Sequence, residues 1–159
     1  MTSEEIITTL RKCSVFNELS VPELTSIAAM GVFCEFQAGE KLYDEGSTNN
    51  NLYVLAKGQV SLLRKSQLND GRTAYTTVYV VRELPQRRMI GGWCSLIGRP
   101  HVQMCTARCE KPSLLVSLDS DGVREIMMKN PPLRIKILEQ LVLILRDRIE
   151  SSYAAMETL

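Results

Sequence analysis

The chain has 159 residues, with 19 Lys+Arg against 18 Asp+Glu and a single His, so its formal net charge is +1. That length suffices for one domain with a sizeable core, and 45% hydrophobic with 23% charged residues is a globular composition that excludes wholesale disorder. The near-neutral balance argues against a broadly basic nucleic-acid surface, the acidic opening MTSEEIITTL does not read as a secretory signal, and no apolar run approaches the roughly 18 residues of a membrane span. Five Cys (Cys13, Cys34, Cys94, Cys105, Cys109) without zinc-type spacing are expected to be reduced thiols of a cytoplasmic protein. With one His and no evident base–nucleophile pair, the sequence points away from an enzyme.

Residues 1–30 read as two helices. Thr2-x-x-Glu5 is a capping box ahead of Ile6, Ile7 and Leu10, and Ser20-x-x-Glu23 is a second ahead of Leu24 and Ile27. From Gly31 to Asp119 the texture changes to short runs rich in Val, Leu, Tyr and Thr: Gly31–Phe36, Lys41–Asp44, Asn51–Leu55, Gln59–Arg64, Tyr75–Val81, Gln103–Cys109 and Leu114–Leu118. Turn residues separate them, among them Lys57-Gly58, Asp70-Gly71 and Lys111-Pro112, and evenly spaced short strands predict an antiparallel sandwich or barrel. Lys57-Gly58 and Asp70-Gly71 suit hairpins. The stretch 89–102, with three glycines, a Trp and a Pro, breaks the alternation and reads as a helical turn or loop.

After Asp119 the helical period returns over 120–159. Asp119 or Ser120 caps a helix carrying Val123, Ile126 and Met127, Asn130-Pro131-Pro132 ends it, and a last helix is expected from about Leu133 to Tyr153. Leu138, Val142, Leu145, Ile149 and Tyr153 form one stripe, and Ile137, Leu141 and Ile144 an adjacent one. A helix apolar on more than one side needs more than one cover, so residues 133–153 are expected to pair with a second copy of the chain.

The segment QAGEKLYDEGSTNNNLYVLAKGQVSLL, with Gly39, Gly46, Tyr53, Gly58 and Val60, resembles the first half of a cyclic nucleotide-binding domain of the catabolite activator and kinase regulatory-subunit family. The lead-in VFNELS before a capped helix, and the ending Leu118-Asp119, Asn130-Pro131 and Leu145-Arg146, extend the resemblance from about Cys13 to Ile149. It implies a mainly β fold, a jelly-roll β-roll with two N-terminal helices and a long C-terminal helix, over the single domain 1–159. It also implies a non-catalytic regulatory or sensor module. The helix-turn-helix that follows in the family's transcription factors is not found before Leu159, so DNA binding by this chain alone is not expected.

In that family a helical turn and an Arg hold the cyclic phosphate, and a Glu accepts from the ribose hydroxyl. The resemblance places Ile90-Gly91 on the family's Phe-Gly and Pro100-His101 on its Pro-Arg. The Glu then falls on Gly92, the Arg on His101, an upstream Gly on Arg87, and two small residues on Val102 and Gln103. Loss of a buried Arg–phosphate contact costs on the order of 2–5 kcal/mol, so ordinary cAMP or cGMP binding is in doubt. The candidate ligand loop is Gly91, Gly92, Trp93, Cys94, His101, Val102 and Gln103, with a backbone-amide nest around 91–95.

A cyclic nucleotide or another small anion is the candidate ligand, and no cofactor or metal is demanded. His101 either carries a charge in place of the Arg or is a polar residue at the pocket mouth. Trp93 either plugs the pocket or stacks on a flat ligand. Arg87, Arg88 and Arg99 either supply charge for a different anion or form a solvated face. Cys105, Ala107 and Cys109 point to one face of a strand, as inert core or, with Cys94 and His101, as a thiol or metal site. The alternative to a sensor is an interaction or dimerisation module that keeps only the fold and docks a partner.

Overall fold

A computed structural model describes residues 2–83 and 88–157. Helices α1 (Ser3–Arg11) and α2 (Val21–Ala28) precede the strands β1 (Gly31–Phe36), β2 (Lys41–Tyr43), β3 (Asn51–Gln67), β4 (Thr73–Arg82) and β5 (Met89–Gly91). A 3-10 turn (Trp93–Ile97) leads to β6 (Thr106–Asp119), and the chain closes with α3 (Ser120–Lys129) and α4 (Pro131–Glu157). The strands form one antiparallel sheet in the order β1-β6-β3-β4, with β2 also on β6 and β5 also on β3. This is the expected β-roll flanked by helices at both ends.

The caps act as their sequences predict. Glu5 accepts from the Thr2 N–H at 2.8 Å, and Ser20 and Glu23 exchange both bonds of a capping box. Asp119 caps α3 through the Gly122 N–H at 3.1 Å.

Two expected turns are not turns. Lys57-Gly58 lies inside the 17-residue β3, where pairing with β6 slips on either side of Lys57 and Gln59. Gly58 takes φ +103, so its positive φ serves a bulge that bends one long strand and not a hairpin. Lys111-Pro112 lies inside the 14-residue β6, opposite the same irregular region. Asp70-Gly71 does make a hairpin, with Leu68 and Arg72 bonded across it and β3 returning as β4.

The prolines at 131–132 also act differently from the expectation. They open α4 instead of only ending α3, because Pro has no N–H to lose in a first turn. Asn130 serves both helices: its N–H closes α3 on Ile126 at 3.1 Å, and its side-chain oxygen accepts from Leu133 at 3.3 Å.

One apolar cluster lies beneath the helices and includes Leu10, Phe16, Leu24, Ile27, Leu118, Met127, Leu133 and Ile137. A second fills the roll, with Val60, Val81, Ile90, Ala107, Cys109 and Leu115. Along α4, Leu141 and Ile144 continue the inward stripe half-buried, and a Lys136–Glu23 ion pair at 3.0 Å ties the helix to α2. Val142, Ile149 and Tyr153 of the other stripe are exposed. No helix among the described residues is long and apolar enough to cross a membrane.

Candidate functional site

The loop that interrupts the strands is pinned to the roll at both ends. Gly91 pairs with Leu52 of β3 and takes φ +111, which turns the chain out of β5. On the far side, Gln103 exchanges backbone bonds with the β2–β3 segment: its carbonyl accepts from Gly46 at 2.8 Å and its N–H donates to Ser47 at 2.9 Å. Between these anchors the 3-10 turn and the His101 strand-like segment wall one side of a cavity of roughly 470 Å³, counted to its open mouth.

Of the residues expected to form the site, Gly91, Trp93, His101 and Gln103 line this cavity, whereas Gly92, Cys94 and Val102 do not. Val102 is exposed, in an isolated bridge to Thr48. Gly92 sits against the backbone of the β3 lead-in: a Cβ there would collide with the Asn49 carbonyl oxygen. A Glu could not replace Gly92 unless that backbone moved. Two amides of the expected nest are engaged within the fold: the Gly92 N–H donates to Asn51 O at 2.9 Å and the Ser95 N–H to Gly92 O at 3.0 Å.

Trp93 does not plug the cavity. Its half-buried indole forms a wall and stands beside His101, with ring centroids 5.3 Å apart. His101 is buried, and desolvation pushes its imidazole below the ordinary 6.5, partly offset by a hydrogen bond with Gln103. That direction favours the neutral imidazole over a charge in the place of an arginine.

Cys105 reaches the same cavity, and Ala107 and Cys109 are buried in the roll behind it. Burial pushes the thiols of Cys94, Cys105 and Cys109 up, the reverse of what a reactive thiolate requires. Among the described residues no three His, Cys, Asp or Glu side chains converge to hold a metal ion.

The positive charge comes from elsewhere. Arg88, just before β5, lines the cavity with its guanidinium 3.9 Å from the centre of the Tyr79 ring. Arg99 is exposed, and Arg87 lies outside the described residues. The second cation, which the sequence reading missed, is Arg148 of α4. Burial, and then the charge of Arg88, push Arg148 down to about 10. Its signal in the sequence was an arginine continuing the inward stripe Leu141, Ile144. Arg88, Met89, Trp93 and Arg148 also border an apolar crevice beneath α4 lined by Val15, Leu141, Ile144 and Leu145, so these four side chains form a wall common to both spaces.

A β-roll capped by helices at both ends, with an open cavity beside a short 3-10 turn, defines the class of domain. Residues 33–130 match the cyclic nucleotide-binding domain model, and the chain belongs to that family. No curated protein matches it at a significant level. Among solved structures, a cyclic nucleotide-binding domain from Methylobacillus flagellatus KT is 21% identical with a TM-score of 0.74, covering 96% of this chain and 81% of that one. The N-terminal domain of a transcriptional regulator from Streptomyces coelicolor A3(2) is 24% identical with a TM-score of 0.69, covering 91% and 94%. The sensor domain of the transcriptional regulator DNR from Pseudomonas aeruginosa is 20% identical with a TM-score of 0.68, covering 93% of each chain.

Proposed function

We propose that this chain is a non-catalytic sensor module whose pocket takes a small anion in place of a conventionally held cyclic nucleotide. One observation carries the reading: the cavity is open, and two buried donors at its wall, Arg88 Nε and Gln103 Nε2, have no acceptor. Buried donors without partners cost about 1–3 kcal/mol each, which an oxyanion in the cavity would offset. The neutral His101 and the blocked Gly92 speak against phosphate and ribose being gripped in the family's usual way.

The paired state belongs to the same reading. Ile135, Val142, Ile149 and Met156 recur every seven residues on α4 and are all exposed, whereas Leu138 packs on the core beneath the helices and Leu145 lines the crevice under α4. An apolar row at a seven-residue repeat that its own chain leaves uncovered fits a coiled-coil seam, and a second copy of the chain, carrying the same row, is the partner we propose. The alternative of a module that has lost its ligand is disfavoured by the cavity that Trp93 leaves open.

Thermal unfolding followed across cAMP, cGMP, linear nucleotides and aromatic acids tests the reading. A ligand that binds only the folded state raises Tm. The expected result is a rise with at least one anion and little with cAMP or cGMP. A flat response to the whole panel, with α4 still pairing, would establish the interaction module instead.

A further inference from the structure

We infer that Arg148 of α4 and Arg88 form a two-cation clamp, completed by the Gln103 amide, for the oxyanion of an aryl carboxylate or aryl phosphate. This rests on the sensor reading and goes beyond it by naming the anchor residues and the ligand chemistry.

The donors converge without acceptors. Both arginines line the cavity, Arg88 Nε and Gln103 Nε2 are buried with no partner, and Gln103 is only 3% exposed. No Asp or Glu lines the cavity, and among the described residues no carboxylate pairs with either arginine. Two guanidinium groups near one another in a half-buried space repel unless an anion lies between them. Their planar forks match the paired oxygens of a carboxylate or phosphate.

The rest of the wall specifies the body that the oxyanion is attached to. Tyr43, Leu62, Ile90 and the Trp93 indole are flat or apolar, and the neutral His101 adds a second ring. Such walls suit a flat aromatic ring and give a sugar little to hydrogen-bond. Because one arm of the clamp is on α4, a bound oxyanion fastens the exposed half of that helix to the roll. Occupancy then favours one helix position over others.

Trp93 is the chain's single tryptophan and a wall of the cavity, so its fluorescence reads the site directly. The full chain is titrated with phenyl phosphate, benzoate and the uncharged benzyl alcohol. A saturable fluorescence change is expected for one or both anions, weakening as salt is raised, with none for benzyl alcohol at the same concentrations. Arg148→Gln and Arg88→Gln should each weaken binding by about tenfold or more. Arg146→Gln, which removes the same charge from an exposed side chain paired with Asp147, should leave it within twofold, by a rough margin.

If the anions bind and Arg148→Gln binds them as well as the parent, the clamp is wrong while the sensor reading stands. If neither anion binds but another member of the wider panel raises Tm, the aryl-oxyanion assignment is wrong. If nothing in the panel binds, the sensor reading itself fails. Should a Gln variant lose its far-UV circular dichroism, Arg148→Lys decides the matter: it keeps the charge without the fork and should bind several-fold more weakly, and undiminished binding would overturn the clamp.

Discussion

The indole of Trp93 and the imidazole of His101 lie with ring centroids 5.3 Å apart and planes inclined at 53°, and both face one cavity. The pair joins the 3-10 turn to the segment that leads into β6, and it keeps the only histidine away from water. Burial there has a measurable consequence. The folded-state pKa of His101 is below its ordinary 6.5, so the unfolded chain binds a proton in a range where the folded chain does not. Stability is therefore greatest above that value and falls as the pH drops through it, levelling off below the folded-state pKa. Scanning Tm from about pH 8 to about pH 5 should show this decline, and His101→Asn should flatten it. An equally steep decline in the variant would assign the proton uptake to another group.

Restoring the family's acid should fail. Gly92→Glu introduces a Cβ onto the Asn49 carbonyl oxygen, in the segment that also binds the 3-10 turn and α3. The expected outcome in urea unfolding is a loss of about 2 kcal/mol or more, with no gain of cAMP binding by calorimetry. A variant that is stable and binds cAMP tightly would show that the backbone yields easily at this point.

Gly58 is a second position where a side chain is refused. Its φ is +103, and an added Cβ would lie 2.7 Å from Ser113 Cα on β6. Gly58→Ala should therefore destabilise by roughly 2–4 kcal/mol, combining backbone strain with the steric clash. The denaturation midpoint should shift without a change in slope, as expected for a change of stability alone.

Pairing through α4 can be separated from folding, because the residues involved are exposed within one chain. Val142 is 66% and Ile149 53% exposed. The double variant Val142→Glu, Ile149→Glu should turn a dimer into a monomer by sedimentation equilibrium while leaving the far-UV spectrum unchanged. Dimers that survive this change would place the interface on another surface.

The element order was legible because caps, the Asp70-Gly71 hairpin and apolar periodicity are local signals. Gly58 and Pro112 misled for a physical reason: positive φ or a missing N–H serves a bulge in a long strand as readily as a turn between short ones. Pro131 misled similarly, since it tolerates a helix start as well as it marks a helix end. The stretch 89–102 announced itself by its glycines and broken alternation, and it does wall the cavity, but its first three residues are strand β5 because they pair with Leu52–Val54 of β3. Arg148 could not be paired with Arg88 from the sequence, because nothing local brings a C-terminal helix to the edge of β5. Only the inward stripe on which Arg148 stands carried a hint.

The pairing of β3 with β6 governs the order in which this chain can assemble. Asn51 lies opposite Asp119 and Leu63 opposite Thr106, so the central strands meet only after a long loop has closed between them. Contacts of such separation slow folding, because loop-closure entropy is spent before the pairing returns any energy. During synthesis Leu52, Val54 and Leu55, all buried in the finished fold, have no β6 to pair with until the codons for residues 106–119 have been translated. The nascent chain is thus most exposed to aggregation and to chaperones in that interval, and a pause in translation before β6 would lengthen it.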